Sequence, residues 1–236
     1  MIRIGDYWGR KYDYWKDTFK YMRHYLRFRR LTGVRLAEWR KSIEAIMDPF
    51  LYLQEGFIPS LGQVILDIGA QFGDYALIWE KMYGCIVYSF EISPENFSIL
   101  KKNIKINGSS IRAYNIPVGN GEEIRFTFNG SMSYKADNGQ PTRTTRLDGW
   151  IQENNVIPAL LKIDVEGSEY EVLEGAAETI SAARPKIILE THSRSLREKC
   201  DSFLKERGYL LAKEGRTVYN VSPDMDEVTN LYYLSR

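Results

Sequence analysis

Apolar positions in this chain fall into short unbroken runs that alternate with segments of helical period. Val64, Ile65 and Leu66 form an aliphatic run without alternation, the pattern of a strand buried on both faces of a parallel sheet. Residues 85–90, 111–118, 160–165 and 185–192 repeat the pattern, and residues 124–128 alternate as an edge strand would. Between them, residues 75–82, 95–106 and 194–207 carry helical spacing, with Phe97, Leu100 and Ile104 on one face of the second. A short helix is expected through Trp150 and Ile151. Ser93-Pro94 reads as a helix entry and Asn107-Gly108 as a stop. A late strand pair, 209–212 and 230–234, follows with a polar turn around Pro223. The polar stretch 129–144, with Gly130, Asn138, Gly139 and Pro141, reads as a flexible loop over the site. Strands alternating with helices predict an α/β fold: a mostly parallel, Rossmann-like seven-stranded sheet, helices on both faces, and an antiparallel last strand.

Residues 1–48 differ in kind and read as a helical N-terminal extension to a domain spanning 49–236. They are crowded with basic and aromatic side chains, from Tyr7, Trp8, Arg10, Lys11, Tyr12, Tyr14, Trp15 and Lys16 to Arg29 and Arg30. Phe19, Met22, Leu26 and Arg30 fall at helical spacing, and Gly33 and Asp48-Pro49 read as breaks. Three uses fit: a cap on the domain or on a dimer mate, a peripheral contact with an anionic membrane surface or acidic acceptor, or a stacking groove for nucleic acid.

Composition narrows the class. The chain has 236 residues, 44% hydrophobic and 13% aromatic, enough for one domain with a sizeable core. A formal charge of +1 gives no whole-protein attraction to nucleic acid. Cys85 and Cys200 have neither metal-ligand spacing nor the numbers for a disulfide framework, and they favour a reducing compartment. No apolar run reaches a membrane-spanning length and the N-terminus lacks a signal-peptide core, so the cytoplasm is the expected location.

The chemistry concentrates at strand ends, where open α/β sheets hold their ligands. Asp67, Gly69, Ala70 and Gly73 follow the first strand and precede a helix, a turn that lets a ligand approach backbone amides. The dinucleotide pattern G-x-G-x-x-G and the Walker loop are both absent. Glu91, at the end of the second strand, stands where a ribose is held by its hydroxyls. Asp164, Glu166 and Glu169 crowd the end of a later strand, and Glu190 and His192 end the next. Such carboxylates repel one another unless a cation lies among them: a sulfonium, an amine, Lys162 or a metal ion.

Several blocks together resemble the FkbM family of S-adenosylmethionine (SAM)-dependent methyltransferases, over residues 50–236. They are D-I-G-A-x-x-G-x-Y from Asp67 to Tyr75, F-E-x-x-P-x-N from Phe90 to Asn96, T-R-L-D from Thr145 to Asp148, K-I-D-V-E-G-S-E from Lys162 to Glu169, V-L-E-G-A from Val172 to Ala176, and P-K-I-I-L-E-T-H from Pro185 to His192. Gln71 and Ser93 depart mildly from that pattern. The resemblance implies a class I methyltransferase fold, SAM as cofactor, and O-methylation of a hydroxyl on a small molecule, sugar or glycan. The expected SAM contacts are Asp67, Gly69, Ala70, Gly73, Tyr75, Glu91, Ile92, Asn96, Val118, Gly119 and Asp164. The expected acceptor contacts are Glu166, Glu190 and His192, with His192 or Asp164 as base. A divalent cation on Asp164 and Glu190 is chemically conceivable, but the spacing is no metal signature and no metal is expected. Two rivals remain: an RNA or protein methyltransferase using the basic N-terminal arm, and a non-catalytic SAM-binding module. The stretch D-V-E-G, where a base-amino methylase carries an N/D-P-P-Y-type run, argues against the first.

Overall fold

The computed structural model describes residues 18–129, 132–135, 137–222 and 225–236. The aromatic and basic residues from Tyr7 to Lys16, with Gly130 and Pro223, lie outside them.

Helix α1 (Thr18–Thr32) and the short α2 (Ile43–Met47) precede a seven-stranded sheet. The sheet is built from β1 (Val64–Ile68), β2 (Ile86–Phe90), β3 (Arg112–Tyr114), β9 (Leu160–Ile163), β10 (Lys186–Thr191), β11 (Tyr209–Ser222) and β12 (Met225–Ser235). Spatial order is β11-β12-β10-β9-β1-β2-β3, with β10 to β3 mutually parallel and β12 antiparallel to both neighbours. The expected α/β architecture is therefore present. The crossovers are α3 (Asp74–Tyr83) and α4 (Pro94–Asn107), then α5 (Leu147–Asn154) before β9, α6 (Glu169–Gly175) and α7 (Ala177–Ala182) before β10, and α8 (Arg194–Glu206) before β11. As expected, Ser93 caps α4, its hydroxyl accepting from Asn96 N, and Gly108 closes the helix in the left-handed conformation.

Period-two alternation along the buried strands splits the core into two halves. Leu66, Ile68, Tyr88, Phe90, Leu161 and Ile163 face one side, against Trp150, Leu173 and Leu204. Ile65, Val87, Leu160 and Ile188 face the other, against Trp79, Tyr52 and Phe57. Phe28, Val34, Leu36, Ala45 and Ile46 belong to this second half, so the N-terminal segment packs directly on the sheet's helix layer.

Five expectations change. Leu26 is 53% exposed, while Phe28 is buried and Tyr25 stacks on Trp39 at 5.3 Å; the helix exists with its packed face rotated from the expected stripe. Residues 111–118 are not one strand: β3 ends at Tyr114 and a two-residue β4 (Val118–Gly119) pairs with β8 (Thr145–Arg146). Pro117 has no N–H to continue a ladder, and Asn115 Nδ2 instead donates to the carbonyls of Glu91 and Ile92. Residues 124–128 form the centre of a separate three-stranded sheet, not an edge. That strand is β5 (Glu123–Asn129), flanked by β6 (Met132–Lys135) and β7 (Gln140–Arg143), so most of the described part of the polar stretch is strand, with a turn at residues 137–139. Gly139 permits the close return, since a Cβ there would lie 2.5 Å from the Phe126 backbone. Finally, the last hairpin is far longer than two short strands, and register shifts between Leu211/Lys213, Glu214/Thr217 and Tyr219/Ser222 absorb its polar, glycine-containing middle.

Candidate active site

The C-terminal edge of the parallel strands opens into a cleft. β1 ends at Ile68, and the N–H groups of Gly69 and Ala70 that follow both donate to the Phe90 carbonyl. Gln71 then takes a φ of 49° and points its N–H at Glu91 Oε2, 2.8 Å away. Glu91 Oε1 accepts from Ser93 N at 2.7 Å. Two backbone donors thus orient a carboxylate that is 5% exposed and lines the cleft. Burial pushes the Glu91 carboxyl up to about 7, partly offset by those same donors. Phe90, Ile116, Val118 and Phe126 give the cleft its apolar wall, Phe126 being supplied by the small sheet.

Asp74, the first residue of α3, also lines the cleft, with Oδ1 buried and unpartnered. Burial raises its carboxyl to about 7, against the lowering effect of the nearby Ser42 hydroxyl, with Asp67 adding repulsion. An acid with a raised folded pKa binds a proton more tightly in the fold than in the open chain. Stability therefore falls as pH rises from about 4 to 7. Asp74→Asn is expected to gain about 1–3 kcal/mol at pH 8 and nothing at pH 4, as urea unfolding at both values would show. An equal effect at the two pH values would mean that charge is not what burdens this position.

The opposite end of the cleft is a carboxylate cluster. Lys162, 3% exposed, lies 3.4 Å from Asp67 Oδ1 and 3.2 Å from Asp164 Oδ2, and donates to the Gly69 carbonyl at 2.7 Å. Burial opposes its charge, but Asp164, Asp67 and Glu190 outweigh that and hold its pKa above the ordinary value. Tyr52 Oη donates to Glu190 Oε2 at 2.9 Å and lies 3.4 Å from Asp164 Oδ2. After β9, Glu166 at φ 53° and Gly167 at φ 105° turn the chain sharply, bringing Glu166 Oε2 to 3.2 Å from His192 Nε2. Burial, with the neighbouring carboxylates, pushes Glu166 up to about 7, against the lowering effect of His192. His192 Nδ1 is 2.7 Å from Glu169 Oε1. Burial disfavours the imidazolium, yet Glu166 and Glu169 raise its pKa well above the ordinary histidine value.

Of the residues singled out in the sequence, Gly69, Ala70, Tyr75, Glu91, Ile92, Asn96, Val118, Asp164, Glu166 and Glu190 line the cleft together. Asp67 lies behind it on Lys162, Gly73 caps α3 against Leu100, and Gly119 packs on Thr144. His192 stands in the second rank, touching the cleft's carboxylates without lining it. Sequence reasoning missed Tyr52, Asp74 and Phe126. Asp74, in G-D-Y directly after the glycine turn, was the one of these with a local signal.

The model of the methyltransferase FkbM domain matches residues 67–214. The hexuronic acid methyltransferase AglP of Haloferax volcanii is 27% identical over 137 residues, 55% of this chain and 56% of that one. Among solved structures, methyltransferase FkbM from Methylobacillus flagellatus KT superposes with a TM-score of 0.58 at 18% identity, over 92% of this chain and 60% of that one. The ribosomal protein L11 methylase of Lactobacillus delbrueckii subsp. bulgaricus shares the fold, with a TM-score of 0.51 at 14% identity over 79% and 77% of the two chains. The chain thus spans a little over half the length of AglP and 60% of the Methylobacillus protein. With the matched segment running from Asp67 in β1 into β11, this chain belongs to the methyltransferase FkbM domain family.

Proposed function

We propose that this protein is a SAM-dependent O-methyltransferase acting on a hydroxyl of a sugar or glycan. The observation that carries the reading is the polarity of the cleft. One end offers an oriented carboxylate, Glu91, beside an apolar wall, which suits a nucleoside. The rest is lined by Glu44, Asp74, Asp164, Glu166 and Glu190 against Lys41 and Lys162, which suits a ligand carrying an amine and a sulfonium. Bound SAM supplies an electrophilic methyl group. Glu91 takes the ribose hydroxyls, the turn at Gly69 to Gln71 lets the ligand reach the backbone, and Asp74, whose Oδ1 has no partner, faces its cationic portion.

Asp164 is the group we assign to receive the acceptor's proton, since its Oδ1 is turned from Lys162 toward the cluster centre. His192, held as a cation by Glu166 and Glu169, accepts a proton only after losing its own and otherwise balances the carboxylates. A glycan acceptor is supported by AglP, whose name gives a hexuronic acid as its substrate. Among the described residues, no helix is long and apolar enough to cross a membrane.

Calorimetry tests the cofactor site. Glu91→Ala removes a carboxylate with two ribose hydroxyls to hold, at about 1.5–3 kcal/mol per charged hydrogen bond. SAM affinity is expected to fall about 100-fold, with the circular dichroism spectrum kept. Wild-type affinity is also expected to weaken below about pH 7, as Glu91 takes up its proton. Unchanged affinity in the variant would remove Glu91 from the ribose. No SAM binding by the wild type would favour a non-catalytic module.

A further inference from the structure

At the anionic end of the cleft, three side chains turn one ligand atom each toward a common point. Asp164 Oδ1 and Glu190 Oε1 lie 3.7 and 4.0 Å from His192 Nε2, and the three residues' ligand atoms fall within 4.8 Å of one another. Their other polar atoms are already engaged by the protein. Asp164 Oδ2 faces Lys162 Nζ and Tyr52 Oη. Glu190 Oε2 accepts from Tyr52 Oη and from Asn230 Nδ2. His192 Nδ1 is 2.7 Å from Glu169 Oε1.

Glu169 is a second and separate observation. It is wholly buried, its Oε2 has no partner among the described residues, and it belongs to α6 rather than to either strand end. A buried carboxylate on the rear nitrogen of an imidazole fixes the ring, so that a cation displacing the proton from Nε2, which lies 3.2 Å from Glu166 Oε2, meets the front lone pair. It is the recurrent support of a metal-ligating histidine. The inward atoms stand at separations that ligands about 2.1–2.2 Å from one ion adopt after small adjustment.

We propose that Asp164, Glu190 and His192 bind a divalent cation at the acceptor end of the cleft, with Glu166 beside it as a further oxygen donor. Carboxylates with one imidazole and no thiolate select a hard to borderline ion such as Mg²⁺ or Mn²⁺. The ion's catalytic role rests on the methyltransferase reading; its binding does not. As a Lewis acid it lowers the pKa of a coordinated hydroxyl and orients it, and with the ion bound Asp164 Oδ1 serves as its ligand in place of acting as the base. It also decides the acceptor class. Without a cation these carboxylates repel an anionic sugar, whereas with one they admit a hydroxyl beside a second oxygen donor, either a vicinal diol or a hydroxyl next to a carboxylate.

The test uses the full chain, stripped of metal by a chelator, titrated with Mn²⁺ without SAM and separately with SAM without Mn²⁺. One Mn²⁺ is expected to bind at micromolar concentration, at least tenfold more weakly in Glu190→Gln and in Asp164→Asn. The wild type alone gives an independent readout because the chain has only two histidines, His24 and His192. Mn²⁺ is expected to broaden the ring resonances of His192 and spare those of His24. Absence of binding at millimolar Mn²⁺, equal affinity in folded variants, or a His192 signal left sharp would each overturn the site. SAM binding without Mn²⁺ binding would sink this proposal alone. Mn²⁺ binding without SAM binding would sink the cofactor reading and leave the metal site standing.

Discussion

Gly69→Ala is expected to be among the most damaging single-methyl additions in the protein, costing at least about 3 kcal/mol or preventing folding. A Cβ at Gly69 would lie 1.7 Å from the Asp164 carbonyl oxygen and 2.7 Å from its carbon. Neither atom can swing aside, because Asp164 N donates to the Ile68 carbonyl and β9 pairs with both β1 and β10. Relief requires the two central strands to part by about 1.5 Å if the contact is to reach ordinary van der Waals distance. The backbone adds a smaller burden: φ is 79°, a region that costs an L-residue about 1–2 kcal/mol. Gly62→Ala separates the two effects, since φ there is 75° and nothing lies within 4 Å of the added Cβ. Urea unfolding should show Gly62→Ala losing only the backbone part. Equal losses in the two variants would refute the close-approach argument.

Lys162→Met should cost about 3–5 kcal/mol at pH 7, the range for removing one partner from a buried ionic group. The methionine fills much the same volume, so the loss falls on the carboxylates that remain. Asp67, 1% exposed, depends on this ammonium. Its pKa is already raised by burial, and Lys162 is what opposes that rise. Without the lysine, the folded-state pKa of Asp67 climbs further, and the folded chain avoids the penalty only where Asp67 is protonated. The deficit should therefore shrink as pH falls toward 5, and Asp67→Asn in the Lys162→Met background should recover part of it at pH 7. A deficit independent of pH, with no recovery in the double variant, would show that the lysine stem stabilises by packing alone.

The amino-acid order determined the alternation of strands and helices, and with it the fold class. The runs at Val64–Leu66 and at residues 160–163 are apolar on both faces, and Ser93-Pro94 and Asn107-Gly108 punctuate a helix by local chemistry alone. Because ligands gather at the carboxyl ends of parallel strands, the acids at Glu91, Asp164 and Glu190 could be brought to one cleft from the sequence. Only the tertiary structure decided what depends on atoms far apart in the chain. Tyr52 reaches Glu190 across 138 residues and Phe126 arrives from a separate small sheet, contacts that no local period encodes. The length of the β11–β12 hairpin was illegible for the same reason, since pairing with β10 and repeated register shifts override a polar, glycine-bearing sequence. His192 is the sharpest case. Its position at a strand end is local information, but its raised pKa comes from Glu166 and Glu169, which the turn at Glu166 and Gly167 brings against its two nitrogens.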